Sequence, residues 1–447
     1  MRGRDAAAEL ATRPVGSLLW WACTQTTLSV GAYGIYAVTN AWFVSRGVGE
    51  VALAAVNLVA PLLLLVGAVS TTVGVGGASL VSRSLGSGDR AQAARAAGTS
   101  FTIFWAVAVV TSVLGIIFVE PLLRLIGATD QTLPYAVPYA IVILGGAILS
   151  TGFSSIVRAE GRLTFSLLLW VIPVVVQVCL DPLLIFGLGL GVVGAGLGTV
   201  GGQAVSAAMA VWFFFLRRDR AYRIRARDLV PDPGLARQVI AVGAPSFLAS
   251  FGATILAVVI NTTLAAAGAV ALAAYAVTAR VQTLATMPQL GITQGAQPVI
   301  SYNAGSGHLH RVDRARVLSL RATIVYGACA AALVAGSARP LAAFFLADPA
   351  AVDLAAGGLR LVAVGFLFSG VTPLVSGYFQ ALGRSTPAYA ISLGTLLAIR
   401  LPLVLGLGGL GPAGVWGALA TGEAASALVA WLVLRAATRT RPAAFRP

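Results

Sequence analysis

Val51-Ala-Leu-Ala-Ala55 returns in this chain as Val270-Ala-Leu-Ala-Ala274, and Gly86-Ser87-Gly88 returns as Gly305-Ser306-Gly307. Residues 51–88 align with 270–307 without a gap, at a constant offset of 219, with 12 identities in 38 positions. Scattered matches arise by chance in a chain dominated by Ala, Val, Leu and Gly, but two clustered runs at one offset do not. A second echo pairs Ala159-Glu-Gly-Arg162 with Ala381-Leu-Gly-Arg384 at an offset of 222. The chain is one unit written twice. In a membrane, a doubled unit implies a transporter whose path lies between the halves.

Composition places the chain in a membrane. Hydrophobic residues make up 58% and charged residues 10%, with mean hydropathy +0.89, far from the balance of soluble domains. A span needs about 20 apolar residues. About twelve such stretches occur, near 17–44, 52–81, 97–119, 135–157, 163–187, 191–216, 238–262, 270–301, 318–337, 358–380, 386–406 and 411–435. The fold class expected is an all-α polytopic membrane protein, with twelve transmembrane helices in two pseudo-symmetric six-helix lobes. Six spans per half give both repeats the same topology, related by an axis along the membrane normal. The expected order is a cytoplasmic tail (1–16), an N-lobe (17–216), a cytoplasmic linker (217–237), a C-lobe (238–436) and a second cytoplasmic tail (437–447).

The net charge of +15 would suit a nucleic-acid binder, but its placement argues for topology. All 30 basic residues are Arg; 24 fall on one side of the spans, four (Arg46, Arg124, Arg339, Arg360) on the other, and Arg280 and Arg400 inside. The positive-inside rule then puts both termini and the 217–237 linker in the cytoplasm, in the cell inner (cytoplasmic) membrane. No nucleic-acid partner is expected. Cys23, Cys179 and Cys329 are too scattered for a metal set or a disulfide framework. His308 and His310 fall in an Arg-rich loop as solvated residues, and no cleavable signal is evident. No nucleotide-binding loop, nucleophile elbow or zinc motif occurs, so neither an enzyme nor an ATP-driven pump is expected. No cofactor is expected either.

A charge inside a span costs about 2.5–3.5 kcal/mol, so each needs a partner or a task. Asp181 lies about 9 Å from the outer end of the fifth span, and Thr199 about 12 Å inward from the outer start of the sixth, at 1.5 Å per residue. Gln177 precedes Asp181 by one helical turn, and Asn40 is near the outer end of the first span. These four converge on the outer half of the first lobe with oxygen ligands suited to H⁺ or Na⁺. The competing expectation is local hydrogen bonding by Asp181 before Pro182. In the second lobe Arg280, Arg400 and Glu423 lie near the midplane, either as a self-neutralising pair or triad or with an arginine facing the cavity. Gln25, Gln203 and Asn261 are further candidates for the cavity. Tryptophans near span ends, such as Trp20, Trp42 and Trp212, suit interfacial anchoring.

Several runs together resemble the multidrug and toxic compound extrusion family across nearly the whole length. They are Phe43-Val-Ser-Arg-Gly47, Val51-Ala-Leu-Ala-Ala-Val-Asn-Leu-Val-Ala-Pro61 and Gly76-Gly-Ala-Ser-Leu-Val-Ser-Arg-Ser-Leu-Gly86, then Ala273-Ala-Tyr-Ala-Val-Thr-Ala-Arg280, Met287-Pro288, Gln297-Pro-Val-Ile-Ser-Tyr-Asn-Ala-Gly305 and Gln380-Ala-Leu-Gly-Arg384. The resemblance, to a prokaryotic branch with its coupling site in the N-terminal lobe, implies a twelve-helix antiporter exporting organic solutes in exchange for H⁺ or Na⁺. In that branch helix one carries an acid and helix six a Thr, while helix five carries an Asn four residues before an Asp. Here Asp181 and Thr199 match, Asn40 replaces the helix-one acid and Gln177 the Asn. The helix-one proline is missing, with Gln25 close to its place, although its repeat counterpart Pro245 is present. Second-lobe acids used by other branches on helices seven and ten are absent.

The expected function is therefore a secondary exporter of organic or amphiphilic small molecules, driven by H⁺ or Na⁺ through alternating access and working as a monomer among membrane lipids. Asp181 would titrate, tuned by Asn40, Gln177 and Thr199. Its rivals are a flippase for a lipid-linked or other amphiphilic precursor and a non-transporting sensor or scaffold.

Overall fold

A bilayer core offers the backbone no water, so each crossing segment must satisfy its own N–H and C=O groups as a helix. The computed structural model describes residues 3–149, 153–217 and 219–439. Twelve long helices follow one another: α1 Val15–Gly47, α2 Glu50–Gly86, α3 Arg90–Ile117, α4 Leu133–Ala159, α5 Leu163–Gly187, α6 Gly191–Leu216, α7 Pro233–Ala265, α8 Ala269–Gly305, α9 Leu309–Gly336, α10 Pro349–Ala381, α11 Ser385–Gly408 and α12 Pro412–Arg439. Among the described residues, nine of these are long and apolar enough to cross a membrane. The other three, α1, α2 and α8, have 33, 37 and 37 residues. At 1.5 Å per residue even the shortest of these three extends about 50 Å, ample for a hydrocarbon core of about 30 Å.

The repeat is visible in helix lengths and in turn glycines. Helices α2 and α8 both have 37 residues, α3 and α9 both 28, and α1 and α7 both 33. Gly49 (φ 118°) opens α2 as Gly268 (φ 100°) opens α8. Both sit in the left-handed region that a Cβ disfavours, so the outer turn of each half is set by the same residue type.

Two compact units result, and their limits differ from 17–216 and 238–436. The first comprises residues 1–12 and 28–243, the second 13–27 and 244–447. Helix α1 thus contributes its start to the second unit, where Thr26 Oγ1 donates to Gly291 O at 2.7 Å, and its remainder to the first. Helix α7 divides in the opposite sense, at Gly243. Loops drew the sequence boundaries; a helix of 33 residues is long enough to serve two packing environments.

In the first unit Val44, Val59, Leu123, Tyr139, Ile143, Ile185 and Ala195 form a buried cluster. In the second, Ala274, Val281, Val334, Leu359, Phe366 and Trp416 form one cluster, and Leu256, Ile260, Tyr275, Leu396 and Val415 another. Large apolar side chains outside these clusters, such as Leu125, Phe344 and Leu333, are exposed, as lipid-facing residues must be.

The segments read from sequence as an N-terminal tail and a linker are packed. Within the 1–16 tail, residues 3–12 form a helix whose Leu10 is fully buried; an amphipathic stretch beside a membrane protein buries its apolar side. The 217–237 linker is held against the first unit. Thr102 Oγ1 donates to Leu229 O at 2.5 Å, and a short 3₁₀ turn spans Ala226–Leu229. Arg220 pairs with Glu160 through Nη2 and Nε, donates from Nη1 to Phe214 O at 2.8 Å, and lies over the rings of Phe213, Phe214 and Tyr222. Burial and the Glu160 charge hold the Tyr222 phenol well above its usual range, so it stays neutral. Arg218 and residues 440–447 of the expected C-terminal tail lie outside the described residues.

Candidate functional site

Helix α6 approaches α5 through a glycine stripe. Gly194, Gly198 and Gly202 recur every four residues and share one face. A Cβ on Gly202 would lie 2.7 Å from Pro173 O, and one on Gly194 would lie 2.9 Å from the Leu184 backbone, so only bare backbone fits. Gly198 faces Asp181, where a Cβ would overlap Oδ1. The carboxylate fills the room that the missing side chain leaves.

Asp181 has no exposed surface. Gln177 Nε2 donates to its Oδ2 at 3.0 Å, while Oδ1 has no hydrogen-bond partner among the described residues. The Asn40 side chain, on α1, faces the same carboxylate, but its Nδ2 is likewise unpartnered. One turn earlier on α1, Tyr36 Oη donates to Thr199 Oγ1 at 3.4 Å. Pro182 follows at once, and Leu183–Gly187 widens into a π-helical turn, a distortion concentrated at functional sites. Three helices of the first unit thus bring a carboxylate, two amides and two hydroxyls together. The unused Oδ1 leaves lone pairs for a proton or a small hard cation.

Overpacking this contact should cost about 1–3 kcal/mol. Gly198→Ala is accordingly expected to melt several degrees below wild type in detergent. Gly201→Ala meets only the flexible Leu180 Cδ1 at 2.7 Å and should change far less. Equal melting temperatures for Gly198→Ala and wild type would show that the carboxylate is not confined there.

The second unit differs. Arg400 Nη2 meets Glu423 Oε2 at 2.8 Å, and its Nε donates to Ser426 Oγ at 3.3 Å. Of the two arrangements open for these residues, pairing is the one present, and Arg280 takes no part in it. Arg280 is exposed on α8 and Asn261 exposed on α7. Gln25 is buried in the part of α1 that belongs to the second unit, and Gln203 is half-buried on α6 of the first. Tyr36 and Ser426 were not singled out by sequence. Tyr36 was within reach, because it precedes Asn40 by four residues on one helix face; Ser426 stands three residues after Glu423 for the same reason.

A doubled set of six helices, with polar residues buried among apolar ones, defines a multi-pass membrane transporter. The chain belongs to the MatE family, whose profile matches residues 27–183 and 245–405. It is accordingly a transporter, not an enzyme. It is 28% identical over 414 residues to the multidrug export protein MepA of Staphylococcus haemolyticus (strain JCSC1435), covering 90% of this chain and 89% of that one. MepA of Staphylococcus aureus (strain NCTC 8325 / PS 47) is 27% identical over 418 residues, covering 92% and 90%. Among solved structures, MATE in complex with MaD5 superposes with a TM-score of 0.90 at 23% identity, covering 98% of each chain. An outward-facing multidrug resistance MATE family transporter of the MOP superfamily gives 0.90 at 23% identity, covering 97% and 98%. These likenesses carry the fold.

Proposed function

We propose that the protein is a secondary active exporter of organic, amphiphilic small molecules, driven by H⁺ or Na⁺ moving inward at Asp181. The observation that carries this is the carboxylate itself: buried, anchored on one oxygen by Gln177 and unpartnered on the other. A group so placed exchanges a cation more readily than it serves as a structural link, which would engage both oxygens. The similarity to two multidrug export proteins supports the substrate class. Arginine placement supports an orientation with both termini in the cytoplasm of the cell inner membrane. The chain works as a monomer among lipids, needing no cofactor beyond the coupling ion.

Coupling follows if cation and substrate prefer different conformations, since a ligand shifts an equilibrium only by its differential affinity. Purified protein in proteoliposomes is expected to expel an amphiphilic dye under an imposed pH or Na⁺ gradient and not without one. Identical efflux with and without both gradients would sink the coupled mechanism. Family membership removes the sensor and scaffold alternative.

A further inference from the structure

Buried or half-buried arginines on the helices of this chain are satisfied in recognisable ways, whether near a helix end, as Arg158 is, or within a span, as Arg400 is. Arg158 is buried and donates to Ser155 Oγ at 3.0 Å and to Ser166 Oγ at 3.5 Å. Arg400 has Glu423 and Ser426. Arg280 has nothing: among the described residues it makes no hydrogen bond or ion pair, and its side chain is exposed.

Its position makes that costly. An uncharged run, residues 269–279, precedes it on α8. Eleven residues at 1.5 Å place Arg280 about 16 Å along α8 from its outer end, within the part of the helix that crosses a hydrocarbon core of about 30 Å. Facing lipid there would cost up to about 2.5–3.5 kcal/mol. Nor is Arg280 needed for packing. Helix α8 buries Ala274 and Val281 in one cluster of the second unit and Ala271 and Tyr275 in the other. Arg280 lies on the remaining, exposed side with Ala276, Thr283 and Leu284. Arg400 and Glu423 cancel, so Arg280 is the uncompensated mid-span charge of its unit.

We infer that Arg280 is a recognition point for an oxyanion, a carboxylate or phosphate, carried by an amphiphilic substrate. The guanidinium fork matches such groups with two parallel charge-assisted hydrogen bonds. The inference rests on the export function proposed above and narrows it: the preferred substrates carry a negative group beside their apolar body, and a purely cationic amphiphile is disfavoured.

The test uses rhodamine B, which has a free carboxylate, and its ethyl ester, which does not, titrated by fluorescence anisotropy against the detergent-purified full chain. Wild type should bind the acid more tightly than the ester. Arg280→Gln should weaken acid binding by about tenfold or more, the loss of one charge-assisted contact, and leave the ester nearly unchanged, which also shows that the variant is folded. Arg280→Lys should keep part of the preference. Displacement of rhodamine B from wild type by phosphatidylglycerol would assign the natural oxyanion to a lipid headgroup, and no displacement would assign it to a free solute. No preference for the acid in wild type, or an unchanged preference in Arg280→Gln, overturns the inference. These equilibria involve no gradient and are read on wild type and Arg280 variants alone. Failure here therefore leaves the coupling mechanism standing, and failure of coupling leaves this result readable.

Discussion

Asp181→Asn is expected to reduce gradient-driven efflux from proteoliposomes roughly 10²-fold while dye binding in detergent persists. Such a fall is about 2.7 kcal/mol, a reasonable measure of what a gradient contributes through one exchanging site. The substitution keeps the shape of the side chain and an oxygen for Gln177 Nε2, now bonded at 3.0 Å, so the α5–α6 packing around Gly198 should survive. What disappears is the negative charge that, in the mechanism proposed, takes up a cation on one side and releases it on the other. Without that exchange neither ΔpH nor ΔNa⁺ has a group on which to act, and the conformational equilibrium no longer depends on the gradient. Efflux that remains dependent on one gradient at wild-type rate would remove Asp181 from the mechanism. Carrying out the assay with each gradient in turn identifies the ion.

Glu160→Ala should cause the largest loss of stability, about 3–5 kcal/mol, the range for removing one partner of a buried ion pair. Side chains of Arg220 and Glu160 are 1% and 3% exposed, so the abandoned guanidinium would stay dry. Its remaining contacts, the Phe214 carbonyl and the surrounding rings, carry no negative charge. The double variant Glu160→Ala/Arg220→Met should recover most of the loss, because apolar replacement of the whole pair avoids the desolvation penalty. Thermal unfolding in detergent decides the matter. A single variant as stable as wild type would mean that the linker contributes little to the first unit.

The fold was legible because membrane helices obey a coarse rule. Apolar stretches of about 20 residues give the twelve spans to within a few residues at most ends, and the repeat gives their grouping. What escaped were features set by contact. Nothing in the run Arg217–Arg237 marks Arg220 as buried; Glu160 supplies the reason from 60 positions away. The sharing of α1 and α7 between units depends on small residues meeting backbone, such as Gly291 against Thr27, and hydropathy is blind to that. At the site, Asp181 and Gln177 could be paired by helical spacing, and Thr199 placed by depth. Tyr36 carries no such mark in the sequence, because an aromatic near a span end suits interfacial anchoring equally well. For Arg400 and Glu423 sequence offered two arrangements, and only side-chain geometry could choose between them.

Arg220 also separates the making of this protein from its finished state. In the orientation proposed, it belongs to the arginine excess that biases nascent loops toward the cytoplasm. That bias acts while the segment is still hydrated and its charge is open to the insertion machinery. Once the first unit closes, Glu160 and three aromatic rings enclose the same charge, and it no longer contributes to the electrostatic surface the cell encounters. One side chain therefore acts first as an address label during biogenesis and afterwards as an internal rivet.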